Sequence, residues 1–198
     1  MTYAIIGSGK IGHALATQFA RQGIDVMLAN SRGPDSLRDT ARALGPTIKP
    51  TSAKDALQAD VVIFAIPFGA VPDAVKEGGD WTGRLVIDAS NAVEFPAFTP
   101  ADLGGRLSTE IVAEAVPGAR VVKAFNTIPA AKLEADPALT GGRRVVVLSS
   151  DDASARSGAA HLIEQLGYAA LDLGTLRQAT HLQQFGGAMV ALDLVKLA

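Results

Sequence analysis

Residues 7–12 read Gly-Ser-Gly-Lys-Ile-Gly, a G-x-G-x-x-G pattern. It narrows the fold more than any other feature, because each glycine meets a separate steric demand. The first permits a tight turn, the second lets backbone approach a pyrophosphate, and the third lets helix pack on strand. The pattern is common, so its context decides its weight. Here it follows the apolar run Tyr3-Ala4-Ile5-Ile6. It opens a stretch, Lys10 to Gln22, with Ile11, Leu15 and Phe19 on one helical face and Gly23 at its end. A second apolar run spans residues 25–29. This is the order of a βαβ unit. The loop Gly7, Ser8, Gly9, Lys10, Ile11 and Gly12 is expected to hold phosphates at a helix N-terminus, whose N–H groups and dipole favour anions. The alternative is a glycine turn in an unrelated α/β protein.

The residues after the second strand refine the ligand. An acid is common there and binds the ribose hydroxyls of NAD. This chain has Asn30, Ser31 and Arg32 instead. Asn30 carries no charge to repel an extra phosphate, and Ser31 and Arg32 offer donors, the guanidinium in a fork suited to phosphate. The expectation is NADP(H), with Arg38 a more distant contributor. The alternative is an ordinary polar turn with a solvated arginine.

Further apolar runs, at 61–65, 85–88, 120–125, 144–148 and 168–171, alternate with amphipathic stretches. Strands that are apolar throughout imply a parallel sheet covered on both faces. The expected class is α/β: a Rossmann-type doubly wound parallel sheet with a small C-terminal α/β extension. Its parts are residues 1–127, binding NADP(H), and 128–198, for acceptor binding and dimerisation, the whole also being readable as one continuous domain. Pro34 suits a first helical position, Ser52 and Ser108 suit caps, and residues 91–105 suit a surface excursion. Leu176 to Leu197 reads as a long helix interrupted by Gly186-Gly187. Each glycine costs about 1 kcal/mol against Ala in a helix interior. The pair therefore marks a close approach, by a partner subunit or an acceptor ring, or a helix break.

With 198 residues, 48% of them hydrophobic, the chain can bury a full core. A net charge of −2 gives no reason to expect nucleic acid or an anionic membrane as partner. The absence of cysteine excludes disulfides, thiolate catalysis and cysteine-held metals. No basic leader precedes the first apolar run, and no apolar stretch reaches the ~20 residues of a membrane span. A cytoplasmic location is expected.

In open α/β sheets, ligands sit beyond the carboxyl ends of the strands. Ile66, Pro67 and Phe68 stand there, as do Ser90 and Asn91, and Asn126, Thr127 and Ile128. Pro67 and Phe68 flank a ribose or the nicotinamide, or form a rigid turn. Asn91 and Asn126 hold a carboxamide or ribose, or simply form turns. Thr127, Ile128 and Pro129 offer one wall of a hydride-acceptor pocket. No catalytic residue is assigned. His13, His161 and His181 have no partner at metal-ligand spacing, so no metal site is expected. Hydride transfer between two bound rings needs alignment more than acid or base.

Together "GSGKIGHALA", "ANSRGP", "AIPF" and "VKAFNTIPA" resemble the NADPH-dependent coenzyme F420 reductase family. The resemblance covers most of the chain, including "LDLGTL" and the C-terminal run. It implies a Rossmann core, a homodimer, and direct hydride exchange between NADP(H) and the deazaflavin F420. It also implies Ser8, Lys10 and Ile11 under the pyrophosphate, Ser31 and Arg32 on the 2′-phosphate, and Gly174-Thr175-Leu176 beside the deazaflavin. The oxidoreductase domains of membrane-bound metalloreductases look similar and reduce a flavin with NADPH. The leading expectation is an NADPH-dependent reductase of F420 or a flavin. Its rivals are an NADPH reductase of another small molecule and an NADP(H)-binding redox sensor without turnover.

Overall fold

The computed structural model describes residues 1–197. β1 (Tyr3–Ile6), α1 (Lys10–Arg21) and β2 (Val26–Ala29) form the expected βαβ unit. A 3-10 turn, Pro34–Leu37, leads into α2 (Arg38–Leu44). Next come β3 (Ile48–Pro50), α3 (Ala53–Ala56), β4 (Val61–Phe64), α4 (Val71–Ala74) and β5 (Leu85–Asp88). A small hairpin pairs β6 (Val93–Glu94) with β7 (Thr99–Pro100) inside the expected surface excursion. It is followed by α5 (Ser108–Ala115), β8 (Arg120–Ala124), α6 (Ala130–Glu134) and β9 (Ala138–Leu139). The chain closes with β10 (Gly142–Ser149), α7 (Ala153–Gln165), β11 (Ala169–Asp172), α8 (Leu176–Gln183) and β12 (Val195–Leu197).

The main sheet runs in the order β3-β2-β1-β4-β5-β8-β10-β11. From β3 to β8 it is parallel, with the 3-2-1-4-5 start of a dinucleotide-binding sheet. β10 enters antiparallel to β8, and β11 runs parallel to β10. Successive side chains of a strand face opposite ways. Ile5, Ile63 and Ile87 therefore pack with Leu15 and Phe19 of α1 and Leu162 of α7. Ala4, Ile6, Val62, Phe64 and Val86 pack on the other face with Val71, Trp81 and Val112. Both faces are covered, which explains why the strands lack polar alternation.

Residues 128–197 lengthen the same sheet with β10 and β11 and set α6 against α1. Gln18, fully buried on α1, donates through Nε2 to the carbonyl oxygens of Leu133, Glu134 and Ala135 at 2.7, 3.0 and 2.9 Å. These are the carbonyls that a short helix leaves without partners at its end.

Two local expectations are corrected. Ser108 is the first residue of α5 and not its cap; Leu107 takes that place, its N–H bonded to the Glu110 carboxylate at 2.9 Å. The long terminal helix ends at Gln183. Gly186 has a φ of +89°, which a helix cannot contain, and the chain turns back on α8. The Met189 N–H then bonds the Leu182 carbonyl at 2.9 Å. A Cβ on Gly187 would lie 2.4 Å from that oxygen. The close approach at this glycine pair is thus made by the chain's own helix end. Residues after it extend as β12, antiparallel to the start of β10.

Candidate cofactor-binding site

The glycine loop lies where β1 and β4 are neighbours, at the point where connections diverge to the two sides of the sheet. Gly7 turns at a φ of +114°, and its N–H bonds the Ala29 carbonyl of β2 at 2.8 Å. Gly9 precedes α1 in an extended conformation, and no side chain caps the helix. The N–H groups of the first turn are left for a ligand.

Asn30 organises the next loop. Its Nδ2 donates to the Ser8 and Ser36 hydroxyls at 2.9 and 3.1 Å. Its Oδ1 accepts from the Arg32 backbone N–H at 2.9 Å. Asn30 thus ties the phosphate loop to the turn carrying Ser31 and Arg32. Both of these are exposed, and among the described residues Arg32 has no ion-pair partner. Arg38 is held by Asp35 at 2.7 Å.

These elements border a cavity of about 370 Å³, lined by Gly7, Ser8, Gly9, Asn30, Ser31 and Arg32 on one side and by Ile66 and Pro67 on the other. A second cavity of about 450 Å³ shares Ala65, Ile66 and Pro67 with the first. Lys10, Ile11, Ser90 and Asn91 line its near side; Val93, Phe95, Phe98 and Phe185 line its far side. Each cavity carries one charged side chain, Arg32 in the first and Lys10 in the second, both cationic. A larger cavity of about 670 Å³ lies by Tyr3, Asp60 and Leu85, at the amino ends of the strands. That is the wrong edge for ligand binding in such sheets.

Not every expected residue reaches the cavities. Gly12 packs under Gly7, and Phe68 packs on the cluster around Val71 and Trp81. Ile128 belongs to the core, and Thr127 is buried, its carbonyl bonded to the Ala191 N–H at 2.8 Å. Asn126 is buried and acts through Asn91. Its Nδ2 donates to the Asn91 Oδ1 at 3.1 Å and to the Gln183 carbonyl at 2.6 Å. Asn91 Nδ2 returns a bond to the Asn126 carbonyl at 2.9 Å. Phe125, just before, is fully buried with a φ of +65°, a strained conformation for a bulky residue. Gly174-Thr175-Leu176 packs on Ser150 and Asp151 and lines neither cavity. His13 approaches Glu134 at 3.6 Å, and His161 and His181 are exposed.

Three features were not anticipated. One is the Phe95, Phe98 and Phe185 wall. The second is Ser36, which grips Asn30. The third is a fully buried ion pair, Lys123 Nζ to Asp88 Oδ2 at 2.8 Å. Asp88 Oδ1 accepts from the Ser90 N–H and hydroxyl at 2.9 and 2.6 Å. Lys123 also donates to the Ser90 carbonyl at 2.7 Å. A lone acid and a lone base inside apolar strands were the available signal; the two sit opposite each other in the β5–β8 register.

Groups whose acidity the fold shifts lie away from the cavities. Burial raises the Tyr168 phenol well above its usual range. Bonds from Arg144 and Lys132 hold the Asp193 carboxyl below the usual carboxylate range. Among the described residues no cluster of histidines and acids could hold a metal, and no helix is long and apolar enough to cross a membrane.

A glycine loop at the carboxyl edge of a 3-2-1-4-5 sheet, with two joined cavities beyond it, is the arrangement of the Rossmann-type oxidoreductases. Residues 2–92 match the family described as NADP oxidoreductase, coenzyme F420-dependent. A hypothetical protein from Sinorhizobium meliloti shares 55% identity and a TM-score of 0.97, over 99% of this chain and 96% of that one. A protein from Arthrobacter sp. FB24, titled as a candidate F420-dependent NADP-reductase, shares the fold at a TM-score of 0.80 and 23% identity, covering 99% of this chain and 100% of that one. The rat metalloreductase STEAP3 is 28% identical over 90% of this chain and 35% of its own length. The chain thus spans about a third of the curated metalloreductases it matches.

Proposed function

We propose that this protein is an NADPH-dependent reductase that delivers hydride to a flavin or deazaflavin ring. The observation that carries the dinucleotide half is Arg32: a cation with no ion-pair partner among the described residues, lining the cavity that begins at Gly9. The fit is good in three respects. A Cβ on Gly9 would meet nothing within 4 Å, so the fold leaves backbone open to an incoming phosphate. The N-terminus of α1 is uncapped. Asn30 supplies no charge and presents the Arg32 turn.

When bound, NADPH supplies a hydride from the nicotinamide C4. The chain's own residues bind and orient. The loop and the first turn of α1 take the pyrophosphate, Ser31 and Arg32 take the 2′-phosphate, and Ile66 and Pro67 exclude water between the cavities. Asn91, braced by Asn126, presents an amide beside the second cavity. The match of residues 2–92 to an F420-dependent oxidoreductase family and the apolar second cavity support a ring acceptor.

Arg32→Ala is the test. A charge-assisted bond to phosphate is worth ~1.5–3 kcal/mol, so the Kd for NADPH should rise roughly 10–100-fold. The Kd for NADH, which lacks the extra phosphate, should stay nearly unchanged. Equal losses for both would overturn the 2′-phosphate assignment.

A further inference from the structure

The far wall of the second cavity is made of phenylalanines held in water. Phe95 and Phe98 are 71% and 63% exposed. Their rings meet edge to face at 5.2 Å, and Phe98 meets Phe185 in the same way at 5.7 Å. Phe98 has a φ of +58°, in the left-handed region that bulky residues rarely adopt. An exposed, strained aromatic residue beside a cavity is a cost to the free protein, and such strain gathers at ligand sites.

The charge on these walls is equally informative. Of the residues lining the cavity only Lys10 is charged, and it opens α1 beside Gly9, on the path of the dinucleotide phosphates. Val93, Phe95, Phe98 and Phe185 offer an anion nothing. Phe185 also borders a neighbouring cavity that contains Arg106, but that cation is engaged by Glu114 and shares its cavity with Asp102. An anionic group buried here without a partner would be strongly penalised. An aromatic ring, in contrast, finds faces and edges to pack on.

We infer that Phe95, Phe98 and Phe185 form the acceptor wall, and that this wall selects a planar aromatic ring and not an anionic side chain. The inference rests on the reductase reading and specifies its acceptor: flavins are taken by their ring, the ribityl phosphate or longer tail staying in solvent. Two electrons and a proton leave C4 of the nicotinamide as hydride and add to N5 of the ring, whose N5=C4a bond takes up the pair. Water supplies the second proton at N1, giving NADP⁺ and the reduced flavin.

Riboflavin, FMN and coenzyme F420 are to be titrated calorimetrically into the NADP⁺-loaded protein and assayed by loss of NADPH absorbance. Riboflavin and FMN should agree within about threefold in Kd and in kcat/KM, because they share a ring and differ in a phosphate. Phe98→Ala and Phe185→Ala should each raise the riboflavin Kd by about tenfold, the NADPH Kd being unmoved, and Phe98→Tyr should keep riboflavin binding. A preference above about tenfold for FMN or F420 over riboflavin would mean that a tail is read; the reductase reading would stand and this inference would fall. Refusal of every ring, with NADPH still bound, would remove both. If Phe98→Ala lowered the particle mass in light scattering and left the riboflavin Kd unchanged, the wall would be a contact between copies of the chain, and the inference would be overturned.

Discussion

A Cβ on Gly12 would lie 1.9 Å from the carbonyl oxygen of Gly7, and one on Gly7 would lie 2.2 Å from that of Ala65. Backbone atoms cannot yield at such distances, so these two glycines serve the fold. Gly9 differs: its φ is −71°, and a Cβ there would enter open space. Its lack of a side chain makes sense only once a ligand is present. Gly9→Ala should therefore unfold at the wild-type denaturant midpoint, with its NADPH Kd raised about tenfold or more. Gly12→Ala should lose about 3 kcal/mol of stability, as an overpacked site does. Equal destabilisation by the two would sink this division of labour. The sequence identified the loop but could not divide it, because Gly7 is decided by Ala65, just after β4 and more than fifty residues away, and Gly12 by how the loop folds back over the start of α1. Asn30 teaches the same lesson. Its missing charge was legible, whereas its bonds to Ser8 and Ser36 depend on how two loops meet.

Elements with strong local signals were legible, and those made by distant pairing were not. The four-residue apolar runs of β1, β4 and β5 became buried strands because each is covered on both faces. Ser52, expected as a cap, does cap α3, accepting from the Asp55 N–H at 3.1 Å. The two-residue strands β6 and β7 are too short to carry any period. The terminal run has helical spacing past Gly186, yet its end is fixed as a strand by β10 and by Asp193. That carboxylate meets Lys132 at 2.5 Å and Arg144 at 2.8 Å, joining the last segment to α6 and β10. Its pKa is lowered in the fold, first by the bond from Arg144 and then by Lys132. A carboxylate with a depressed folded pKa contributes stability above its unfolded value, about 3.9, and loses it as the pH falls through the folded value. Acidification from about pH 6 to about pH 3 should thus reduce the hydrogen-exchange protection of the Lys196 amide, which faces Arg143 of β10 in the bonded register. In Asp193→Asn, protection should already be low at the higher pH and should change little on acidification. Unaltered protection in that variant would show that strand pairing alone holds the segment.

At the scale of the molecule, the question is how a parallel dinucleotide sheet and its antiparallel continuation act as one body. They join at β8, where Lys123 pairs in register with Asp88 of β5 on one side and with Ser149 of β10 on the other. From this seam the bonds run outward. Asp88 and Lys123 hold Ser90 at the cavity, Gln183 of α8 donates to the Lys123 carbonyl at 3.2 Å, and Asn126 donates to the Gln183 carbonyl. The rim of the second cavity and the C-terminal segment therefore share one buried network. A buried ion pair is weak evidence for stability, since two well-packed apolar residues often do as well, but breaking one strands a charge. Asp88→Asn alone should cost about 3–5 kcal/mol by leaving Lys123 without its counter-ion. The double variant Asp88→Leu/Lys123→Met should recover most of that loss in denaturant unfolding, because neither charge remains. It should not recover riboflavin affinity, because Ser90 has lost the three bonds that fix it beside Asn91. If the double variant were as unstable as the single one, charge burial would not be the cause. If it bound riboflavin as the wild type does, the pair would serve the sheet and not the site.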